Sequence, residues 1–293
     1  MKHTKLLTAV VAILALGMTA CGAKANSGSG SKAGANTSSK HTHSFGEWTE
    51  VTPPSCDVAG SEKRTCSTCN EVETRETEPL GHQWGAAQDI AASNNGHAYT
   101  KCACTRAGCN AIKLEVGFEG VELQKGSASS VSNKAPKVTS GDYVDAFANT
   151  IKLGNAGNFF EVSFYTELVG SGKVYQYGTM DYWVDGDSGN KAKTLFAGKD
   201  NNSYTEKTTP NFNMTLNNEA ITVTNKKSLG DILVGDQISL GNDNGDKYSP
   251  FGYVEIGPAT VAPGLNTVKY ERVDSYNMVI KSFAFVFVPT QVN

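Results

Sequence analysis

From residue 114 onward apolar and polar side chains alternate at a period of two, as in strands that bury one face. Phe160-Glu-Val162-Ser-Phe164-Tyr-Thr166-Glu follows this pattern, and Phe283-Ala-Phe285-Val-Phe287 sets its rings on one face of a final strand. Further strands are expected at Val174 to Tyr177, Phe212 to Leu216, Ile221 to Thr224, Tyr253 to Ile256 and Asn266 to Glu271. The segments between them are rich in Gly, Asn and Asp, as in Gly186-Asp-Ser-Gly-Asn190 and Gly241-Asn-Asp-Asn-Gly245, and these favour turns. Many short strands without a long amphipathic helix predict an all-β unit, one β-sandwich with a shared core over residues 114–293.

The start of the chain is patterned differently. Lys2 and Lys5 precede an apolar run from Leu6 to Leu16, which is shorter than the ~20 residues of a membrane-spanning helix and suits a signal-peptide core. It ends Gly17-Met-Thr-Ala-Cys21-Gly22, which resembles a bacterial lipoprotein signal. That resemblance implies a signal peptide at 1–20 and an acylated Cys21 as lipid anchor, holding the protein on the outer face of the cell membrane of a Gram-positive bacterium. Residues 22–40 are Gly, Ser, Ala, Asn, Lys and Thr, a composition that builds no core and predicts a flexible linker. A net charge of −3 over 293 residues gives no reason to expect a nucleic-acid partner.

Chemistry-bearing side chains crowd the middle. Every cysteine and histidine lies before residue 110, so metal or thiol chemistry belongs to the first third of the chain. Gly60-Ser-Glu-Lys-Arg-Thr-Cys66 aligns with Gly96-His-Ala-Tyr-Thr-Lys-Cys102, and Cys69-Asn70 with Cys109-Asn110, which predicts two copies of one unit at 41–81 and 82–113. The second is degenerate, with Ala92 where the first has Cys56 and with an additional Cys104. Each copy then offers three thiols and a leading imidazole: His43, Cys56, Cys66 and Cys69 in the first, His82, Cys102, Cys104 and Cys109 in the second. Such a set is the closed tetrahedral shell of structural zinc. Cys66-x-x-Cys69 aims two sulfurs at one ion, and Asn70 suits the positive φ of such a turn. Disulfides are the alternative for an exported chain, and free or redox-active thiols a third; three thiols per copy leave one unpaired after a disulfide, which favours metal. His41 and His97 are expected at the surface, with His97 a substitute for His82. His43-x-Phe45-x-x-Trp48, Pro54-x-Cys56 and Gly81-His-Gln-Trp84 resemble a Cys/His-rich, zinc-ribbon-like repeat of Gram-positive surface proteins, which implies a spacer or adhesion element.

The C-terminal unit resembles the galactose-binding-like, jelly-roll carbohydrate-binding modules. The likeness is carried by Leu114-Glu115-Val-Gly-Phe-Glu119, Ser140-Gly-Asp-Tyr143-Val144, Val261-Ala-Pro-Gly264-Leu-Asn266-Thr-Val268 and Asp274-Ser-Tyr-Asn277-Met. It implies a sugar cleft among the loops at one end, with Asn277 bonding hydroxyls, Tyr248 or Phe251 as the stacking ring and Phe147 as a second wall. It also implies a structural calcium ion only in part: Glu115 and Glu119 are present, but Val279 to Lys281 supplies no Asp. Tyr175, Tyr177 and Trp183 are expected in the core.

Catalysis finds little support. The chain has no Gly-x-Ser-x-Gly elbow and no His-Glu-x-x-His pair, and residues 114–293 hold no histidine to serve as general base. The sequence therefore points to a non-catalytic, lipid-anchored, glycan-binding surface protein, the alternative being a structural or adhesive component that binds another protein.

Overall fold

The computed structural model describes residues 42–125, 144–153, 156–182, 194–200, 203–227, 229–233, 235, 238–239, 247–274 and 278–290. Cys21, His41, Trp183, Asn277 and the Gly241–Gly245 turn lie outside the described residues.

Two three-stranded antiparallel meanders come first. One is β1 (Thr49–Thr52), β2 (Gly60–Thr65) and β3 (Val72–Thr77), and the other β4 (Gln88–Ile90), β5 (Tyr99–Ala103) and β6 (Ile112–Gly117). They repeat each other in detail. Phe45 bridges Cys66 as Trp84 bridges Cys104. The Gly46 amide donates to Thr65 as Gly85 does to Ala103, and Ser67 donates to Ser44 as Thr105 does to Gln83. This fixes the alignment of the copies: the counterpart of Cys66 is Cys104, and Cys102 is a strand residue two places earlier. The Gly60/Gly96 alignment is thus shifted by two at this position, because a shared Gly-to-Cys spacing took precedence over the hydrogen-bond frame.

The remaining strands are β7 (Leu123–Lys125), β8 (Asn158–Thr166), β9 (Gly170–Tyr182), β10 (Ala197–Asp200), β11 (Ser203–Glu206), β12 (Phe212–Leu216), β13 (Glu219–Ala220), β14 (Ile238–Ser239), β15 (Lys247–Tyr248), β16 (Gly252–Val261), β17 (Gly264–Arg272) and β18 (Met278–Phe287). Two single-turn helices, α1 (Val144–Phe147) and α2 (Leu229–Ile232), lie among them. One sheet has the order β13-β12-β17-β8-β7. The other runs β14-β15-β9-β18-β6-β5-β4, with β16 also on β9. The expected all-β sandwich of antiparallel sheets is therefore what the chain forms. The second meander is continuous with it: β6 pairs with β5 along one edge and with β18 along the other, and the boundary expected at 113/114 falls inside β6.

Alternation decides the core. Phe160, Val162 and Phe164 of β8, Phe212 and Met214 of β12, and Val268 and Tyr270 of β17 face Val254, Ile256, Phe283, Phe285 and Leu114 of the opposite sheet, all at most 2% exposed. Rings dominate the middle. Phe160 stacks on Phe283 at 4° between planes, Tyr270 on Phe212 at 18°, and Phe118 meets Phe160 edge-on. Ile221 to Thr224, expected as a strand, instead steps between the sheets: the Ile221 amide donates to Met214 in one and the Thr224 amide to Ile256 in the other.

The β4–β5 turn is pressed onto β8. Asn94 and Asn95 both have positive φ, and the next residue, Gly96, lies so close to β8 that a Cβ there would sit 2.6 Å from the Tyr165 amide nitrogen. The His97 amide donates to the Ser163 carbonyl, which the His97 ring also approaches, so this histidine is spent on docking. Gly96→Ala should force backbone apart and lower stability by about 2 kcal/mol or more. Gly108→Ala, at φ 77° with open space around it, should cost only the ~1 kcal/mol of a left-handed alanine. Thermal denaturation of the two variants side by side checks the difference.

Candidate metal centres and an outer-face groove

The first meander has almost no apolar interior. All four residues of β1 are exposed and five of the six in β3. Its strands are held by side-chain pairs instead. Arg64 and Arg75 bind Glu73 and Glu62 across β2 and β3 and lay their guanidinium groups over Trp48, at 4.6 and 4.2 Å from its ring centre. A module this small without a core needs a further staple.

The structure gathers the Cys/His residues into two sets. Cys56, His82, Cys104 and Cys109 form one, and His43, Cys66 and Cys69 the other, each with its ligand atoms within 4.8 Å of one another. This corrects the grouping by copy. Cys56 leaves the first set and completes the second, while Cys102, buried in β5, belongs to neither. Local bonds explain the transfer. The Leu80 and Gly81 amides donate to the Ser55 and Cys56 carbonyls, laying the first copy's Pro54-Ser-Cys56 loop beside the segment that leads into His82. Arg106 clamps the same segment through the Leu80 and Gly81 carbonyls.

The donor geometry suits a tetrahedral ion. Zinc with Zn–S of about 2.3 Å and Zn–N of about 2.0–2.1 Å sets S···S edges near ~3.8 Å and S···N edges near ~3.5 Å. The Cys56 and Cys104 sulfurs are 3.8 Å apart, Cys109 Sγ lies 3.5 Å from His82 Nδ1, and Cys69 Sγ lies 3.4 Å from His43 Nδ1. The cysteines at 56, 66, 69, 102, 104 and 109 are all free thiols, and 3.8 Å is far beyond the about 2.05 Å of a disulfide. Each imidazole turns Nδ1 to the thiols and Nε2 to a carboxylate: His82 to Asp57 at 3.1 Å and His43 to Glu71 at 3.3 Å. Carboxylates in that position orient metal-bound histidines and fix their tautomer. The sequence reading passed over Asp57 and Glu71, although each sits within two residues of a cysteine.

Thiol acidities follow the same plan. Burial pushes Cys66 up, but amide hydrogen bonds from Thr68 and Cys69 and the bond to His43 outweigh it and hold the thiol at about 5. At Cys104, burial is likewise outweighed by the Arg106 amide and His82, leaving about 6. Cys56 is pushed up to about 12 by burial and by its Cys109 and Cys104 neighbours. In a set without a cation, one thiolate suppresses the next; a bound divalent ion removes that repulsion. The turn at Cys66–Cys69 supplies the amides, with Asn70 at φ 60° and its N–H on the Cys66 carbonyl.

A second feature lies on the outer face of the larger sheet. Tyr175 and Tyr177, expected in the core, point outward and are half-buried. Tyr177 lies against Tyr253 at 4.7 Å and Phe251 at 5.7 Å, and Phe251 meets Phe147, which meets Tyr248. Phe147 and Tyr248, read from the sequence as walls of a sugar cleft, are buried in a small cluster with Ile238 and Val279; Phe251 is only partly covered. Glu115, read as a calcium ligand, spends both oxygens within the protein. Oε1 accepts from Ser282, and Oε2 from Tyr253 and Lys113, while Glu119 stands exposed. Beside this row runs a groove of about 380 Å³, lined by Tyr175, Tyr253, Glu255, Asn225, Lys226 and Ile232 among others. Lys173 fixes the Glu255 carboxylate, and the Asn225 side chain donates to the Glu255 carbonyl.

The regrouped sets predict which thiols matter. The full chain should take up two zinc ions; Cys102→Ala/Cys104→Ala, which leaves the second set Cys56, His82 and Cys109, should still take up two, whereas Cys56→Ala/Cys104→Ala, which leaves it only His82 and Cys109, should retain one. Elemental analysis after gel filtration reads the counts, and one ion in Cys102→Ala/Cys104→Ala with two in Cys56→Ala/Cys104→Ala would restore the grouping by copy.

No family model matches this chain, and no curated protein matches it. Among solved structures it is similar to a Podospora anserina GH26-CBM35 beta-(1,4)-mannanase, at 13% identity and a TM-score of 0.29. The match covers 62% of this chain and 28% of that one, a likeness too slight to bear on function.

Proposed function

We propose that this chain is a lipid-anchored surface protein whose sandwich binds carbohydrate without turning it over, carried on a tether and two zinc-stapled meanders. The observation that carries the binding reading is the outer-face groove. A pyranose has an apolar C–H face and a rim of hydroxyls, so its recognition needs rings for the first and carboxylate, amide or ammonium groups for the second, in a largely preformed site. Tyr175 and Tyr253 with Ile232 supply the one, and Glu255, Asn225 and Lys226 the other. Tyr253 remains 40% exposed although its hydroxyl is held by Glu115, so the ring is fixed before any ligand arrives. Asn277, to which the likeness to carbohydrate-binding modules assigns the hydroxyl contact, is the rival location. A protein-binding role is the second reading, favoured by Val51, Val58, Val72 and Leu80, which the first meander and its flanks leave exposed.

A glycan array followed by calorimetry tests the groove. Tyr253→Ala should weaken binding tenfold or more, as expected for a stacking ring worth roughly 1–3 kcal/mol, whereas Tyr253→Phe should retain most of it. Loss in Asn277→Ala with Tyr253→Ala unaffected would move the site to the loop end. An array without any ligand at millimolar concentration would leave the protein-binding reading.

Anchoring is tested separately. Cys21→Ser should shift the protein from the membrane fraction to the medium or leave it unprocessed, and an immunoblot of fractionated cells would reject the anchor if the variant stays membrane-bound and cleaved.

A further inference from the structure

The two thiol sets are not equivalent. The second has four protein donors and the first has three among the described residues. The difference follows from the direction in which cysteine is handed along the repeat: Cys56 belongs by sequence to the first copy and by position to the second copy's set. By the same rule the first set would draw its third thiol from a segment before His43, where the sequence holds one cysteine, Cys21, the residue that the lipoprotein reading acylates. Glu71 does not take that place, because it sits on Nε2 of His43, the position that Asp57 holds on His82 in the complete set.

We infer that the first centre, when metal-loaded, keeps one exchangeable coordination position and that this position takes an external thiolate. The inference rests on the metal reading of both sets. Three features favour a thiol. The complete set fills the corresponding position with the sulfur of Cys56. Two thiolates and a neutral imidazole leave a divalent ion formally uncharged, so a third thiolate brings the first set to the same −1 as the second. Access is open as well: Cys69 is exposed and the His43 side chain is 38% exposed, whereas the His82 side chain is 11% exposed. On binding, the incoming thiol forms a metal–sulfur bond and releases its proton to solvent. The closed-shell reading of the sequence therefore holds for the second centre alone.

Cobalt(II) substitution of the full chain tests this, because sulfur-to-cobalt charge transfer reports each added thiolate. The protein is reduced with a phosphine, loaded with cobalt and titrated with 2-mercaptoethanol. The expected result is two bound ions and a saturable increase in charge-transfer intensity at millimolar thiol, corresponding to one sulfur per chain. His43→Ala and Cys69→Ser should each abolish the response and keep the spectrum of the second ion, which also reports that its module is folded. A two-cobalt protein whose spectrum thiol does not alter overturns the inference while leaving the metal reading intact. A response that persists in His43→Ala overturns it too, as does one that appears only in His41→Ala, which would mean that His41 closes the shell. Failure to bind any cobalt would overturn the metal reading itself.

Discussion

A meander of three short strands cannot shield a core from water, and the rest of this architecture answers that constraint. The first meander buries little beyond Cys56, Cys66 and Gly60, so burial cannot fix its shape. What remains are cross-strand ion pairs, guanidinium groups stacked on Trp48, and two gatherings of thiol and imidazole. Exposed ion pairs contribute little each, which leaves the thiol sets as the strongest available constraint. The second meander faces the same problem and has a second solution, since β6 pairs with β18 and Tyr99 packs on Phe164 within the large core.

That shared strand explains why the outer face of the larger sheet is decorated as it is. The inner face is filled by the Phe160, Phe283, Phe212 and Tyr270 stack, and tyrosines of β9 and β16 at alternating positions must point the other way. There they are held by a fixed network in which Glu115 accepts from Ser282, Tyr253 and Lys113 at once. Burial alone would push its pKa up, yet those donors hold the carboxyl below its ordinary value. Tyr253 is therefore anchored within the row by a charge that Ser282 and Lys113 also satisfy.

Strand positions were legible where alternation is strong, as in β8, β12, β17 and β18, and Asn70 adopts the positive φ its turn required. Three things were not. Ile221 to Thr224 carries a strand-like pattern, but its amides serve two different sheets, and composition does not encode that. Tyr175 and Tyr177 were assigned to the core because burial is the commoner fate of a ring in an apolar strand, whereas register against β16 decides their face. The ligand sets were misassigned because spacing within one copy is visible in sequence, and the pairing of Leu80 and Gly81 with Ser55 and Cys56, which carries a sulfur into the next copy, is not.

The handover of Cys56 also changes how the molecule would respond to pulling. With an ion in the second set, tension applied at the N-terminal end and resisted by the sandwich passes directly from Cys56 to His82. The 25 residues between them, 57–81, with β2 and β3, hang outside that path as a closed loop. Rupture of one metal–ligand junction would release ~90 Å of slack at 3.3–3.6 Å per residue. A chain pulled in this way would thus lengthen in a single step while its sandwich stayed folded.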